Sequence, residues 1–205
     1  MSHRFRLFGY RLYFLCCLSA LPTIAFAHTP IKGINNFYNG LLHPVLVPAQ
    51  LLLLIAVGLF FGQQGPKENQ AALMTYLAAT ALGLFAAWFS TGVQIEVIIL
   101  ASAATLGLLI ALSLRVSLYW RLLIGAAAGF VLGLDSAQET LFGKDRFVAL
   151  FGSGVGIYFF SLYPMGFADY FQKRPWQKIG VRVVGSWLAA SSLLVLALSF
   201  APTRL

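Results

Sequence analysis

Long apolar runs alternate with short polar breaks along most of this chain. Six runs stand out, over residues 41–62, 71–89, 93–114, 118–134, 147–168 and 179–200. Each is compatible with the roughly 17–25 residues a helix needs to cross a bilayer. The breaks between them, at 63–70, 90–92, 115–117, 135–146 and 169–178, are short. The pattern predicts an all-α, polytopic bundle of six transmembrane helices, because a helix satisfies its own backbone hydrogen bonds in lipid. No linker, repeat or low-complexity tract interrupts it. Residues 28–205 therefore read as a single membrane domain.

The first 27 residues have a different layout. Arg4, Arg6 and Arg11 form a basic head, residues 12–20 a short apolar run, and Ala25-Phe26-Ala27 a small-x-small site. That is the plan of a cleavable signal peptide, with His28 as the new N-terminus. An uncleaved first helix is the alternative. Both readings start the mature chain outside the cytoplasm. Loop charge agrees with them. With that start, the inner segments hold Lys67, Arg115, Lys173, Arg174 and Lys178, with Arg121 and Arg182 just inside adjacent helices; the outer ones hold Lys32, Lys144, Arg146 and Arg204. The excess lies inside, as the positive-inside rule requires. An even span number places the C-terminus outside too. The expected location is a bacterial-type inner membrane, crossed several times.

Composition supports the class. Hydrophobic residues make up 60% and charged residues 10% of the chain, where soluble domains carry roughly a quarter charged residues. The net charge of +8 is partly the leader's: without its three arginines, 11 basic residues face 6 acidic ones. These sit mainly in loops and give no nucleic-acid signal. Both cysteines, Cys16 and Cys17, lie in the leader, so the mature domain has no thiol chemistry. Gly125, Gly129 and Gly133 recur every four residues, and Gly152, Gly154 and Gly156 thin the fifth run. Such spacings let helix backbones approach closely, and packing is the preferred reading.

Candidate chemistry collects at the expected outer face. His43 opens the first run, Glu96 opens the third with Gln94, and Asp135, Gln138 and Glu139 follow the fourth. Asp135 and Glu139 share a face if the helix continues that far. Gln50 lies two turns beyond His43, roughly 10 Å deeper on the same stripe of a continuous helix. His28, Asn35 and Asn36 precede the first run and could fold over this mouth. An imidazole with carboxylates and amides suits a borderline divalent cation such as nickel, cobalt or zinc. Each residue also has a plainer use. His43 could cap a helix beside Pro44, Asp135 and Glu139 could pair with Lys144 and Arg146, Glu96 could snorkel, and Gln50 could bridge helices.

Gly40-Leu41-Leu42-His43-Pro44, then Leu51 and Ala56-Val57-Gly58-Leu59, resembles the hydrogenase/urease accessory membrane proteins of the HupE/UreJ family. The leader, the histidine that follows it, the short-looped spans and the length match the same plan. The resemblance implies a secondary permease for nickel, sometimes cobalt, that serves maturation of nickel enzymes. Two departures stand out. The family's aspartate-histidine pair reads Ala49-Gln50 here, and its later histidine-rich motif has no histidine. Leu134-Asp135-Ser136-Ala137-Gln138-Glu139 is the candidate counterpart of that motif. These losses leave open a second function, a non-transporting accessory protein that binds a metal or a partner at the outer face. An enzyme is not expected. Gly152-Ser153-Gly154 lacks the spacing of a membrane serine protease, and no helix carries the paired histidines of a zinc protease.

Overall fold

The computed structural model describes residues 33–65, 67–89, 95–138 and 140–200. The leader, its cleavage site and His28 lie outside these residues, as does Glu139. Every regular element described is helical. In chain order these are α1 (Asn36–Leu46), α2 (Pro48–Gln64), α3 (Gln70–Phe89, after a 3-10 turn at Lys67–Asn69), α4 (Glu96–Leu112), α5 (Leu118–Leu134), α6 (Gly143–Tyr170) and α7 (Pro175–Ser199).

Three of these are long and apolar enough to cross a membrane alone: α3 with its preceding turn, α6 and α7. The α1–α2 pair passes the same test when taken together. Helices α4 and α5 are apolar but have 17 residues each, about 25 Å of rise against a hydrocarbon core of roughly 30 Å.

The first run is not the continuous helix its hydropathy suggests. It breaks at Val47, and α1 and α2 meet at 75°. Proline chemistry explains the break. Pro48 disfavours the helical conformation at the residue before it, and Val47 is extended at φ −86°, ψ 111°. Pro48 then serves as a first-turn residue of α2, where its missing N–H costs nothing. His43 therefore lies in the last turn of α1, before the break, and Pro44 lies inside α1. Gln50 belongs to a different helix from His43, so the two do not share one stripe. Glu96 is also displaced from its expected place: it is the first residue of α4, not four residues into a helix.

Pro44 leaves a second trace. It has no N–H to give the Gly40 carbonyl four residues earlier. Ser153 of α6 supplies the donor, with its Oγ 3.1 Å from that oxygen. The broken backbone is satisfied by a neighbour, as lipid demands.

Helix α2 is the centre of the bundle. Twelve of its 17 residues are buried, as befits a helix that is apolar all round. It runs parallel to α6, where Gly58 meets the backbone of Ser161 and Gly62 that of Met165. The N-terminal half of α6 takes α1, with Phe37 against Gly152 and Leu41 against Gly156. Helices α3 and α5 form a second parallel pair. Gly125, Gly129 and Gly133 lie on the backbone at Ala72, Tyr76 and Thr80 in turn, so the four-residue glycine stripe is a packing seam. Helices α4 and α7 form an antiparallel pair, with Gly107 against Ala189 and Gly185 against Ile110.

Candidate functional site

Two ends of helices meet inside this bundle. Asp135 follows the last residue of α5 as its C-cap. Gly133, just before it, packs at Thr80 and Leu84 of α3, and α3 runs on to Phe89. Helix α5 thus stops about 8 Å short of the end of α3. Asp135 is carried below that end rather than onto it. The first turns of α2 come to the same level. Gln50, wholly buried, donates from Nε2 to Asp135 Oδ2 at 2.6 Å and to the Asp135 carbonyl at 3.1 Å. Both amide hydrogens are used on one residue. The Gln50 Oε1 has no hydrogen-bond donor among the described residues.

Asp135 itself is half-buried, and two of the three residues after it are buried. Ser136, 1% exposed, turns its hydroxyl back to the Leu132 carbonyl at 2.9 Å. Gln138 is 3% exposed, and its Oε1 has no donor among the described residues. Two buried amide oxygens therefore belong to segments joined by the Gln50–Asp135 contact. A buried acceptor without a donor costs about 1–3 kcal/mol, and a cation would meet that need.

The remaining predicted residues divide. His43 is buried in α1 and is engaged with its surroundings. Its own carbonyl accepts the Val47 N–H that caps the helix, at 3.1 Å. Glu96 is exposed at the start of α4, where the positive end of the helix dipole suits a carboxylate. Helix α5 ends at Leu134, so it does not carry Asp135 on a helical face. His28 and Glu139 lie outside the described residues. Among the described residues, no three His, Cys, Asp or Glu side chains group closely enough to hold an ion.

Some functional-looking residues were not legible in advance. Arg146, counted as a loop charge, is 8% exposed in the first turns of α6 and donates to the Ala87 carbonyl at 2.6 Å. Asn35 caps α1, its Oδ1 accepting the Phe37 N–H at 3.1 Å. At the opposite end of the bundle, Gln64 donates to the Leu114 carbonyl at 2.6 Å and accepts the Val116 N–H at 3.2 Å. Asn69, wholly buried, donates to the Phe61 carbonyl at 2.7 Å and accepts from Arg121 at 2.9 Å. A Gln-Gln pair before a glycine and an Asn after a Pro-Lys-Glu turn were the only hints of that network.

Comparison with known proteins gives one match. The family model described as HupE / UreJ protein matches residues 16–195. No curated protein and no solved structure matches the chain.

Proposed function

The chain belongs to the HupE/UreJ family, and from that premise we propose that it is a secondary permease for a divalent transition-metal cation of the nickel or cobalt class. The family is one of transport and accessory proteins rather than catalysts. One observation carries the reading: in a helical membrane protein a half-buried carboxylate, Asp135, stands at the end of a helix and is met there by a wholly buried amide. Ionisable groups within membrane bundles mark ion pathways by default. Transporters of many folds place ions where helices are interrupted, since the freed backbone and nearby side chains supply ligands. Here α1 breaks into α2 and α5 stops early.

In this reading Asp135 supplies the charge and Gln50 an amide oxygen. His43, Glu96, Glu139 and His28 belong to the entry path or complete the ligand set. Six crossings, with both mature termini outside the cytoplasm, form part of the proposal. So does a cell-membrane location in which the delivered ion serves a metalloenzyme maturation system. The test is uptake of radioactive nickel and cobalt by cells that express the chain, its Asp135→Ala variant or an empty vector. Uptake above the vector that falls in the variant supports the permease. No uptake of either ion, with the protein found in the membrane, refutes it.

A second reading has its own observation. Ala49-Gln50 stands where the family has an aspartate-histidine pair, which favours an accessory protein that binds a metal or a partner without transport. Metal binding by purified protein, coupled with absent uptake, would select it.

A further inference from the structure

Packing divides the helices unequally. Within each tight unit, glycines bring backbones together. Gly83, Gly129 and Gly133 would each place a Cβ 2.3–2.4 Å from a backbone oxygen of the partner helix within the α3–α5 pair. Gly40, Gly152 and Gly156 do the same between α1 and α6, and Gly58 and Gly62 between α2 and α6, while a Cβ at Gly107 of α4 would stand 2.6 Å from the Ala189 nitrogen of α7. These contacts tie α1, α2 and α6 into one body, and α4 and α7 into another. The α4–α7 pair is fastened to α2 by Gln63, whose Nε2 donates to the Ile110 carbonyl at 3.1 Å, and by a broad apolar contact through Ile99, Leu106 and Ile110.

The α3–α5 pair is different. Where its outline meets the rest, side chains rather than close-set backbones make the contact: Tyr76 and Leu132, wholly buried, lie in the apolar core shared with α2, and the Tyr76 ring stands edge to face with that of Phe61. Gly154 of α6 meets a δ-methyl of Leu84, and Gly125 of α5 meets the Phe61 ring tip of α2. A crevice lies along each flank. One, about 450 Å³, runs between α3 and α6 and is walled by Leu84, Phe85, Trp88, Phe147 and Phe151. The other, about 370 Å³, runs between α4 and α5 and is walled by Ile98, Ala101, Thr105, Ile124 and Ala128. Both are open at the side and apolar, so lipid chains can fill them as they widen or narrow.

Besides that shared core, polar ties hold the pair at its two ends. At one end Asp135 of α5 takes the Gln50 amide of α2, and the Ala87 carbonyl of α3 takes Arg146 of α6. At the other end Asn69, in the turn leading into α3, reaches the Phe61 carbonyl, and Gln64 of α2 clasps the loop entering α5. A unit with a rigid interior, lubricated flanks and exchangeable polar ties at both ends is built to rock. We infer that α3 and α5 move together as one rigid body against a scaffold of α1, α2, α4, α6 and α7, and that the Gln50–Asp135 contact is the latch at one end of the stroke. Transporters alternate access by rocking one bundle against another around a fixed site. That use of the motion rests on the permease reading; the motion itself does not.

Double electron–electron resonance of the full chain in lipid nanodiscs tests it, with Cys16 and Cys17 replaced by serine. Spin labels at Phe130 of α5 and Leu198 of α7 span the seam. Labels at Phe89 and Phe130 lie within the pair, and labels at Leu108 and Leu198 within the scaffold. All four sites are exposed. The seam distance is expected to be broad or bimodal and to shift by several ångströms when Asp135→Ala opens the latch, while both control distances stay single and fixed. Gln50→Ala removes the same contact from the other side and should give the same shift if the first variant folds poorly. A seam distance as narrow and unmoved as the controls in both variants overturns the inference. A moving seam in a chain that takes up neither nickel nor cobalt would uphold the inference and count against the permease.

Discussion

Removing the Ser153 hydroxyl tests how this chain tolerates a proline within a membrane helix. The Gly40 carbonyl would take the N–H of residue 44 in an ordinary helix; Pro44 has none. Ser153 donates instead across the α1–α6 contact, at 3.1 Å, from a side chain with no exposed surface. Ser153→Ala leaves that buried oxygen without a donor. Losing a partner from a buried acceptor costs about 1–3 kcal/mol, whereas hydrogen bonds between membrane helices average about 0.6 and reach about 1.7 kcal/mol. The overlap of these ranges predicts a loss of about 1–1.5 kcal/mol, roughly a tenfold change in the unfolding equilibrium. Pro44→Ala restores an N–H at residue 44. In that background the serine is redundant, and Ser153→Ala should cost less than about 0.5 kcal/mol, the usual limit for uncoupled changes. The assay is reversible unfolding in mixed micelles of the two single variants, the double variant and the parent. An equal cost of Ser153→Ala in both backgrounds would refute the reasoning, because the hydroxyl would then not be serving the carbonyl that Pro44 leaves open.

Other consequences are as direct. Gly129→Ala would set a Cβ 2.3 Å from the Tyr76 carbonyl and should lower stability by about 1–3 kcal/mol through overpacking; Gly166→Ala, which meets nothing within 4 Å, should be neutral or stabilising by up to about 1 kcal/mol. Thermal unfolding in detergent separates the two. Asn69→Ala removes the side-chain donor from the Phe61 carbonyl and one acceptor from Arg121, which keeps Glu68, and should cost about 1–3 kcal/mol, read by the same unfolding assay. Asp135→Asn keeps an oxygen to accept the Gln50 amide but removes the charge. It should therefore unfold like the parent while losing at least about tenfold in metal uptake, the scale of about 1.4 kcal/mol in ion binding. Uptake that survives the substitution would remove the carboxylate from the ion's path.

Much of the fold can be read from hydropathy because a membrane helix advertises itself locally. The run at 118–134 coincides with α5, and 71–89 differs from α3 by one residue. The glycine stripe at Gly125, Gly129 and Gly133 announced a packing face, since small residues serve little else in lipid. Its partner, α3, was not legible, because any apolar helix presents the same surface in sequence. The break at Val47 had a local signal, a residue preceding Pro48, which a hydropathy window averages away. The site was harder. Gln50 and Asp135 lie 85 residues apart, and no periodicity links them. Gathering acidic and amide residues at one face brought both onto the same short list. Their contact depends on where α5 stops relative to α3, which is a matter of tertiary packing. Glu96 joined that list as a carboxylate opening the third run beside Gln94, and the structure sets it exposed at the start of α4, where the helix dipole suits it.

The central claim is that a divalent cation crosses this protein by way of Asp135. Purified protein in liposomes that enclose a metal-sensitive fluorophore measures this without other cellular transporters. Nickel or cobalt added outside should quench the dye faster than in protein-free liposomes, and Asp135→Asn should return the rate to that baseline. Equal rates with and without correctly inserted, folded protein, for both ions, would contradict the account.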